Sequence, residues 1–400
     1  MAFQVAKVRA SYPALADGWA YLDGAAGTQV PSPVIDAISH AYAAGLSNAD
    51  GVFPASRRAD AITAACRAAV ADLVGGVTEG VVLGPNMTTL TYRIAAALAG
   101  TWREGDEVVV SRLDHDANVR PWVQAARRAG AVVRWAEPDP GTGELPAGQY
   151  AALLCDRTRL VAVTAASNVI GTRPDIPAIT GMAKAVGALS YVDGVHATPH
   201  GPVDVRALGA DFYVTSAYKW SGPHVGALVA DPELLGSLRP DKLVPSSDRV
   251  PERFELGTPS FADQAGVTAA VEHLACLDDS AAGTRRERLL TSMAAAEEHE
   301  QRLFAVMLAG LDAMPHVTTY GRAARRTATA YFNVAGLTPT QVASRLADRR
   351  INVWDGHNYA WEVTGVLGIR ESGSAVRAGL VHYNDESDVA RLLEAIAGLG

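Results

Sequence analysis

The sequence has few cysteines and no excess of positive charge. Its 400 residues include three cysteines, Cys66, Cys155 and Cys276, which lie far apart and form no Cys-x-x-Cys pair. This spacing argues against a disulfide framework and against a thiolate metal site. Lys and Arg number 35 against 43 Asp and Glu, so the formal net charge is -8. We therefore expect a small-molecule partner, and neither nucleic acid nor a membrane.

Long apolar runs are also missing. Charged or turn-forming residues interrupt each apolar stretch before it reaches the roughly 20 residues that a membrane helix requires. Near the N-terminus no apolar segment follows Lys7 and Arg9, so we predict no signal peptide and expect a cytoplasmic protein. The chain contains no internal repeat or low-complexity tract. Its length and its 48% hydrophobic content are typical of a globular protein with two domains.

Between Tyr21 and about Leu228, short β-rich stretches alternate with Ala-rich helical patterns. Such alternation is typical of an α/β fold in which helices cover a mainly parallel sheet. The predicted strands are 80–83, 107–110, 160–164, 189–192 and 211–214. The predicted helices are 60–73, 88–98, 119–129 and 176–186.

After Pro259 the pattern changes to long helical stretches and then to a smaller α/β unit. The predicted elements here are helices 264–277, 284–311, 339–348 and 386–397, with strands 328–334, 352–354 and 376–381. We therefore expect a large α/β domain over residues 21–260. A smaller C-terminal α/β domain is expected over residues 261–400, with the N-terminal arm 1–20 assigned to it.

Small or polar residues follow each of the five predicted strands of the large domain. Ligands bind outside the carboxyl ends of strands in parallel sheets, so these residues are candidates for a binding site. Taken singly, each set is ordinary for a helix cap or a turn. Together they offer an amine, a carboxylate and a helix start, which are the parts that bind pyridoxal 5′-phosphate (PLP). The sets are Asn86-Met87-Thr88-Thr89, Asp114-His115, Ser167-Asn168, Asp193-Gly194-Val195-His196 and Ser216-Ala217-Tyr218-Lys219.

Several segments, in the same order, resemble the class V aminotransferase family of fold-type I PLP-dependent enzymes, in particular the cysteine desulfurase and selenocysteine lyase branch. The resemblance covers nearly the whole chain. It implies a homodimer with the active site at the subunit interface. One residue that binds the phosphate or the substrate is expected to come from residues 253–260 of the partner chain. The matching segments are 21–26 (YLDGAA), 114–122 (DHDANVRPW), 167–172 (SNVIGT), 191–194 (YVDG), 216–219 (SAYK) and 253–259 (RFELGTP).

The resemblance implies three catalytic roles. Lys219 matches the lysine that forms a Schiff base with PLP and carries the proton between substrate and cofactor. Asp193 matches the carboxylate that pairs with the pyridine nitrogen and makes the ring an electron sink. His115 matches the histidine whose ring stacks on the pyridine face.

Other matching positions imply contacts to the phosphate. Met87 and Thr88 match the phosphate-binding turn at a helix start, where backbone N–H groups face the anion. Ser216 and Tyr218 complete this cup. Desulfurases usually have histidine at the position of Tyr218, so a phenol donor is expected there or the contact is absent.

The remaining matches concern the ring hydroxyl and the substrate. His196 matches a residue that hydrogen-bonds the ring hydroxyl, and Asn168 matches one beside the hydroxyl and the substrate. Arg377 matches the arginine that holds the substrate α-carboxylate, for which a bidentate guanidinium is well suited. His196 and His200 also form an i, i+4 pair, but Pro199 between them favours a loop over a metal site, and no metal is expected.

The sequence departs from desulfurases on the loop 355–359 (DGHNY), where their sulfur-accepting cysteine is replaced by Tyr359. A phenol cannot carry a persulfide, so we predict that the chain is not an ordinary persulfide-forming desulfurase. Asp355 and His357 are either solvated or in contact with substrate, while Trp354, Tyr359 and Trp361 are open to a packing role.

These observations predict a PLP-dependent enzyme that acts on a small amino acid. The first expectation is a class V aminotransferase, and the alternative is a C–S lyase, desulfurase-like or selenocysteine lyase-like enzyme. An inert binding relative of the same fold is a further alternative. Retention of Lys219, Asp193, His115 and Arg377 together argues against it, because a binding-only protein gains nothing from an ionisable lysine beneath an aldehyde.

Overall fold

A computed structural model describes residues 3–400, so residues 1 and 2 of the predicted N-terminal arm lie outside the described part. The helices are α1 (Val5–Ala10), α2 (Ser32–Ala43), α3 (Pro54–Val74), α4 (Met87–Ala99), α5 (Arg120–Ala129), α6 (Tyr150–Leu153), α7 (Ile176–Ala185), α8 (Pro232–Ser237), α9 (Phe261–Ala275), α10 (Arg285–Asp312), α11 (Pro339–Ala347), α12 (Trp361–Val366) and α13 (Glu386–Ala397). The strands are β1 (Ala20–Tyr21), β2 (Val81–Gly84), β3 (Glu107–Ser111), β4 (Val132–Ala136), β5 (Thr158–Thr164), β6 (Leu189–Asp193), β7 (Phe212–Ser216), β8 (Gly226–Ala230), β9 (Val317–Tyr320), β10 (Thr329–Val334), β11 (Ile351–Asn352), β12 (Trp354–Gly356) and β13 (Ala375–Gly379).

The large sheet has the order β2-β8-β7-β6-β5-β3-β4 and is parallel except for β8, which runs antiparallel to both of its neighbours. The predicted α/β class with a mainly parallel sheet is therefore confirmed. All five strands predicted for this region are present, within two residues at each end. The strands β4 and β8 were not predicted.

Helices cover both faces of this sheet, because successive side chains of each strand point to opposite faces. Val108 and Val110 of β3 pack in a core with α4 and α5. Val109, between them, packs in a second core with α3, α7 and α9. All three valines are fully buried, which explains why the strand reads as an uninterrupted apolar run.

The second sheet has the order β12-β13-β10-β9 and is antiparallel. Its core contains side chains of α10, α11 and α13. The N-terminal part of the chain joins this core, since Ala20 of β1 pairs with Ile351 of β11 and Leu22 is buried beside them. The predicted strand 352–354 is in fact two short strands, β11 and β12, separated at Val353.

The helix α10 connects the two cores. It begins with a capping box, in which Thr284 and Glu287 satisfy each other's backbone N–H groups. Met293 near its start belongs to the core of the large sheet, whereas Met307 near its end belongs to the core of the small sheet. The helix α9, placed after the proposed domain boundary at residue 260, also packs in the large core. The domain limits 21–260 and 261–400 remain a proposal.

Candidate active site

The carboxyl ends of β3, β5, β6 and β7 meet at one edge of the large sheet, where the predicted polar residues surround a narrow cavity. Lys219 follows β7, Asp193 ends β6, Asn168 follows β5, and His115 follows β3. The residues that line the cavity are Met87, Thr88, His115, Thr164, Ala166, Asn168, Asp193, Val195, His196, Tyr218 and Lys219. The structure therefore brings together eight of the ten predicted site residues; Ser216 is not among the lining residues, and Arg377 lines an adjoining cavity.

Lys219 ends a short 3₁₀ turn, Ala217–Lys219, and its side chain is buried. Its Nζ donates a hydrogen bond to the main-chain oxygen of Ala25 at 2.6 Å. Burial, and then the positive charge of Arg377, lower the pKa of Lys219 to about 7, although Asp193 opposes this shift. An amine with that pKa is substantially neutral at physiological pH, which is the state that attacks an aldehyde.

Asp193 is the last residue of β6; it lines the cavity and is buried. Its Oδ1 accepts a hydrogen bond from the main-chain N–H of Val195 at 2.9 Å. Burial raises the pKa of Asp193 to about 6, while this hydrogen bond and Lys219 hold it down. Gly194 is required next to it, because a Cβ atom there would lie 1.9 Å from the Tyr213 ring. Because the pKa of Asp193 is raised, a cationic partner beside this carboxylate would lower the pKa again and keep the group fully ionised.

His115 presents a flat, uncharged ring to the cavity. Its Nδ1 accepts the main-chain N–H of Ala117 at 3.0 Å, which fixes the ring. Burial, followed by the charges of Lys219 and Arg377, lowers the pKa of His115 to about 3. The ring of Tyr359 lies nearly parallel to it, with centroids 5.4 Å apart and an interplanar angle of 27°. A neutral imidazole held in this way can stack on a heterocycle.

The start of α4 forms one end of the cavity. The side chain of Asn86 caps the helix by accepting the N–H of Thr89 at 2.9 Å. The N–H of Met87 donates to Oγ of Ser216 at 3.0 Å, which ties this helix to β7. Gly226 of β8 allows the close approach, since a Cβ atom there would lie 2.3 Å from the Asn86 backbone. The helix terminus therefore faces the cavity as a potential anion site.

His196 lines the cavity, and its Nε2 is already occupied. It lies 3.0 Å from the hydroxyl oxygens of both Thr327 and Thr329. His200 contacts its ring edge-to-face and bonds to Glu300 through Nδ1 at 2.6 Å. Only Nδ1 of His196 therefore remains free to contact the ring hydroxyl of PLP. No pattern in the sequence indicated the two threonines, because they lie more than 130 residues away.

Arg377 in β13 lies beside Asn168, and both line the adjoining cavity. It is buried, and its Nη1 donates to the main-chain oxygen of Asn168 at 2.9 Å. Burial lowers the pKa of Arg377 to about 10, so it stays charged at neutral pH. The side chain of Asn168 donates to the main-chain oxygen of Asn358 at 2.9 Å. Its Oδ1 is buried without a hydrogen-bond partner among residues 3–400, which marks a place for a ligand donor.

These features fit PLP. The orphaned Oδ1 of Asn168 and the carboxylate of Asp193 face a cavity that also holds the amine of Lys219 and the start of α4. In the described part of the chain, no group of three or more His, Cys, Asp or Glu side chains is arranged to bind a metal. None of its helices has the length and apolar character to cross a membrane.

Comparison with known proteins agrees with this geometry. The family model for aminotransferase class V matches residues 20–392. An uncharacterized protein of Mycobacterium tuberculosis is 40% identical and covers 100% of both chains. A probable cysteine desulfurase of Pseudomonas putida is 33% identical over 98% of each chain.

The fold is shared with solved structures of desulfurases. The apo structure of a cysteine desulfurase from Thermococcus onnurineus superposes with a TM-score of 0.89 at 28% identity, covering 100% of this chain and 98% of that one. Together with the family match, this likeness identifies the family to which the chain belongs. The chain belongs to the class V aminotransferase family of PLP-dependent, fold-type I enzymes, in its cysteine desulfurase-like branch.

Proposed function

We propose that this enzyme uses Lys219 and PLP to remove the α-proton of an amino acid, and that no cysteine of the protein receives sulfur. The observation that carries the proposal is the convergence of Lys219, Asp193 and Arg377 on connected cavities. An amine with a lowered pKa, a buried carboxylate and a buried guanidinium serve three different parts of one cofactor–substrate pair.

The cofactor supplies an electron sink that stabilises negative charge at the substrate α-carbon. In the proposed arrangement, Asp193 pairs with the pyridine nitrogen, and His115 covers the ring. Asn168 and His196 serve the ring hydroxyl. The phosphate is held at the start of α4 by Met87 and Thr88, with Ser216 and Tyr218 beside it.

Lys219 is proposed to hold the cofactor first and then to act as the proton carrier. Its pKa of about 7 lets the freed amine accept a proton from the α-carbon near neutral pH. Arg377 is proposed to bind the α-carboxylate, and its bond to the Asn168 carbonyl holds the guanidinium in place. The two residues therefore fix both the orientation of the substrate and the fate of its proton.

Persulfide transfer to the protein is not proposed, because no cysteine lines either cavity of the site. Cys66 is buried within α3, and Cys276 is exposed at the end of α9 beside Arg288. Tyr359 stands on the loop where desulfurases carry the acceptor. Sulfur released from a substrate would have to leave as sulfide or go to an external acceptor.

Two reactions share the proposed proton removal. Transamination is the first candidate and agrees with the name of the matching family model. Cleavage of a C–S bond without a protein persulfide is the second, and the desulfurase relatives support it at least as strongly. Both reactions need the groups described above, so the product must separate them.

We further propose a homodimer in the cytoplasm. Apolar side chains of α2 and of the segment before α3 are exposed in the single chain, among them Tyr42, Val52 and Phe53. Exposed apolar clusters of this kind are typical of protein–protein contacts. Sedimentation of the purified protein at the mass of one chain would contradict this proposal.

The reaction is tested with PLP-loaded enzyme and single amino acids in the absence of a keto acid. Transamination predicts one equivalent of keto acid per site, together with conversion of the cofactor to its amine form. C–S cleavage of cysteine by elimination and hydrolysis predicts continuous release of sulfide, pyruvate and ammonium in equal amounts. Intact-protein mass spectrometry should show no added sulfur, with Tyr359→Cys as the comparison variant. A persulfide on the unaltered protein, formed as fast as product, would contradict the proposal.

A further inference from the structure

A wide cavity of about 950 Å³ adjoins the cofactor site. The two cavities share lining residues, including His115, Asn168 and Lys219, and Arg377 lines the wide one. An amino acid whose amine is at Lys219 and whose carboxylate is at Arg377 must therefore place its side chain in or beside this space. The cavity is large compared with the side chain of cysteine or alanine.

Exposed aromatic rings line the wide cavity. Tyr92, Trp354 and Tyr359 all contribute to its wall, and they are 40%, 52% and 68% exposed. Large aromatic side chains usually bury their rings, so three exposed rings around one cavity form an apolar surface that has no partner within the described part of its own chain. The charge of the wall and the contacts that hold the rings indicate which kind of side chain this surface binds.

Apart from Lys219 and Arg377, which are assigned to the cofactor and to the substrate carboxylate, the charged groups of this wall have partners within the chain. Asp116 and Arg120 form an ion pair with Nε and Oδ1 2.8 Å apart. Asp355 accepts the hydroxyl of Thr340, and Nδ1 of His357 accepts the N–H of Tyr359. Beyond Lys219 and Arg377, the part of the wall without such partners is thus mainly aromatic, which favours an uncharged, flat side chain over a charged one.

Tyr359 is held in a fixed position. Its main-chain oxygen accepts the N–H of Asp116 at 2.8 Å, and its ring packs on His115. Its φ of +58° and that of Asn358, +47°, lie in the left-handed region, which residues other than glycine adopt only when their surroundings enforce it.

Two further contacts fasten the segment that carries Tyr359. Glu362 binds Arg112 and Arg120 of the large-sheet unit. The side-chain Nδ2 of Asn168 also donates a hydrogen bond to the main-chain oxygen of Asn358 at 2.9 Å. The exposed ring is therefore a preorganised surface rather than a mobile one, and such a surface loses little entropy when it binds a ligand.

We propose that this wall selects an amino acid with an uncharged aromatic side chain, such as phenylalanine or tyrosine, which packs against Tyr359. The inference rests on the proposed function, because it takes the cofactor in the Lys219 cavity and the guanidinium of Arg377 as the groups that bind the amino and carboxyl ends of the substrate. It goes further by assigning the substrate class and by giving Tyr359 a role in specificity.

The test uses calorimetric titration of PLP-loaded Lys219→Ala, which lacks the proton carrier, with L-phenylalanine, L-alanine and L-cysteine. The proposal predicts that L-phenylalanine binds at least about tenfold more tightly than L-alanine, as expected for one aromatic contact plus buried ring area. Equal affinities would overturn the inference while leaving the proposed function intact. Failure of all three to bind would overturn both.

Variants in the same Lys219→Ala background locate the effect. Tyr359→Ala should remove most of the preference for L-phenylalanine, whereas Tyr359→Phe should keep it because the ring is retained. Val306→Ala is the control, since that side chain is 59% exposed on α10 and does not line the cavity. Thermal melts verify that each variant is folded. An unchanged preference in a folded Tyr359→Ala variant would overturn the role of Tyr359.

Discussion

The guanidinium of Arg377 donates a hydrogen bond to the main-chain oxygen of Asn168 at 2.9 Å. This bond joins β13 of the small sheet to the loop after β5 of the large sheet. The group proposed to bind the substrate is therefore positioned by a residue proposed to contact the cofactor. Any amino acid held by Arg377 is placed relative to the large sheet rather than to the small sheet alone.

Removal of the Arg377 guanidinium should weaken amino-acid binding with little loss of cofactor. Arg377→Ala loses a charge-assisted bidentate contact, worth about 1.5–3 kcal/mol, which corresponds to roughly 10-fold to 150-fold in affinity. Arg377→Lys should recover only part of it, because an ammonium group lacks the planar fork. Spectral titration of the PLP-loaded variants measures the affinity, with Arg345→Ala as an exposed control. An unchanged affinity would remove Arg377 from the substrate site.

The amine of Lys219 should titrate near neutrality. Since its pKa is lowered to about 7, the neutral amine predominates above that pH and the charged amine below it. The rate at which an amine-selective acylating reagent labels Lys219 in cofactor-free protein should therefore level off above about pH 7. For an ordinary lysine the rate would still be rising at pH 10.

The same labelling experiment tests the cause of this shift. Arg377 contributes to lowering the pKa of Lys219, so Arg377→Ala should move the midpoint to higher pH. Asp193 acts in the opposite direction, and Asp193→Asn should move the midpoint to lower pH. A profile that neither substitution moves would mean that these charges do not act on Lys219. Labelling of Lys184 in α7 in the same samples serves to normalise the extent of reaction between variants.

Glu362 should stabilise the segment that carries Tyr359. Its carboxylate is mostly buried and binds two arginines from the other unit, each about one-third exposed. Glu362→Gln should lower the free energy of unfolding by about 1–3 kcal/mol, since solvent screens part of the loss. Hydrogen exchange of residues 355–362 should also rise. The control is Glu371→Gln, whose side chain is exposed and whose loss should be nearly neutral.

Much of the fold and of the site was predictable because short apolar strands end in polar residues with distinctive chemistry. The strands through Val109 and Val192 were recognised because burial on both faces gives an uninterrupted apolar run. β4 was missed because it is an edge strand with exposed positions such as Val132. The predicted helix 60–73 starts earlier, at Pro54, since proline is well tolerated in a first helical turn.

Other features of the site arise from tertiary contacts that periodicity does not encode. The stacking of Tyr359 on His115 joins the loop after β12 of the small sheet to the loop after β3 of the large sheet. The left-handed φ of Tyr359 could not be predicted, because the residue there is not glycine. The two threonines that contact His196, Thr327 and Thr329, lie in a stretch with no distinctive motif, so the sequence did not predict this contact. Roles for the site residues were therefore implied by resemblance to the family, and they remain predictions.

The most direct test of the account is the site of covalent PLP attachment. The sequence contains four lysines, Lys7, Lys184, Lys219 and Lys242, so borohydride reduction of the PLP-loaded protein followed by peptide mass spectrometry identifies the residue without ambiguity. We predict one pyridoxyl group per chain, on Lys219, retained in Lys184→Ala and lost in Lys219→Ala. Attachment to another lysine, or none in a folded PLP-treated protein, would contradict the central claim.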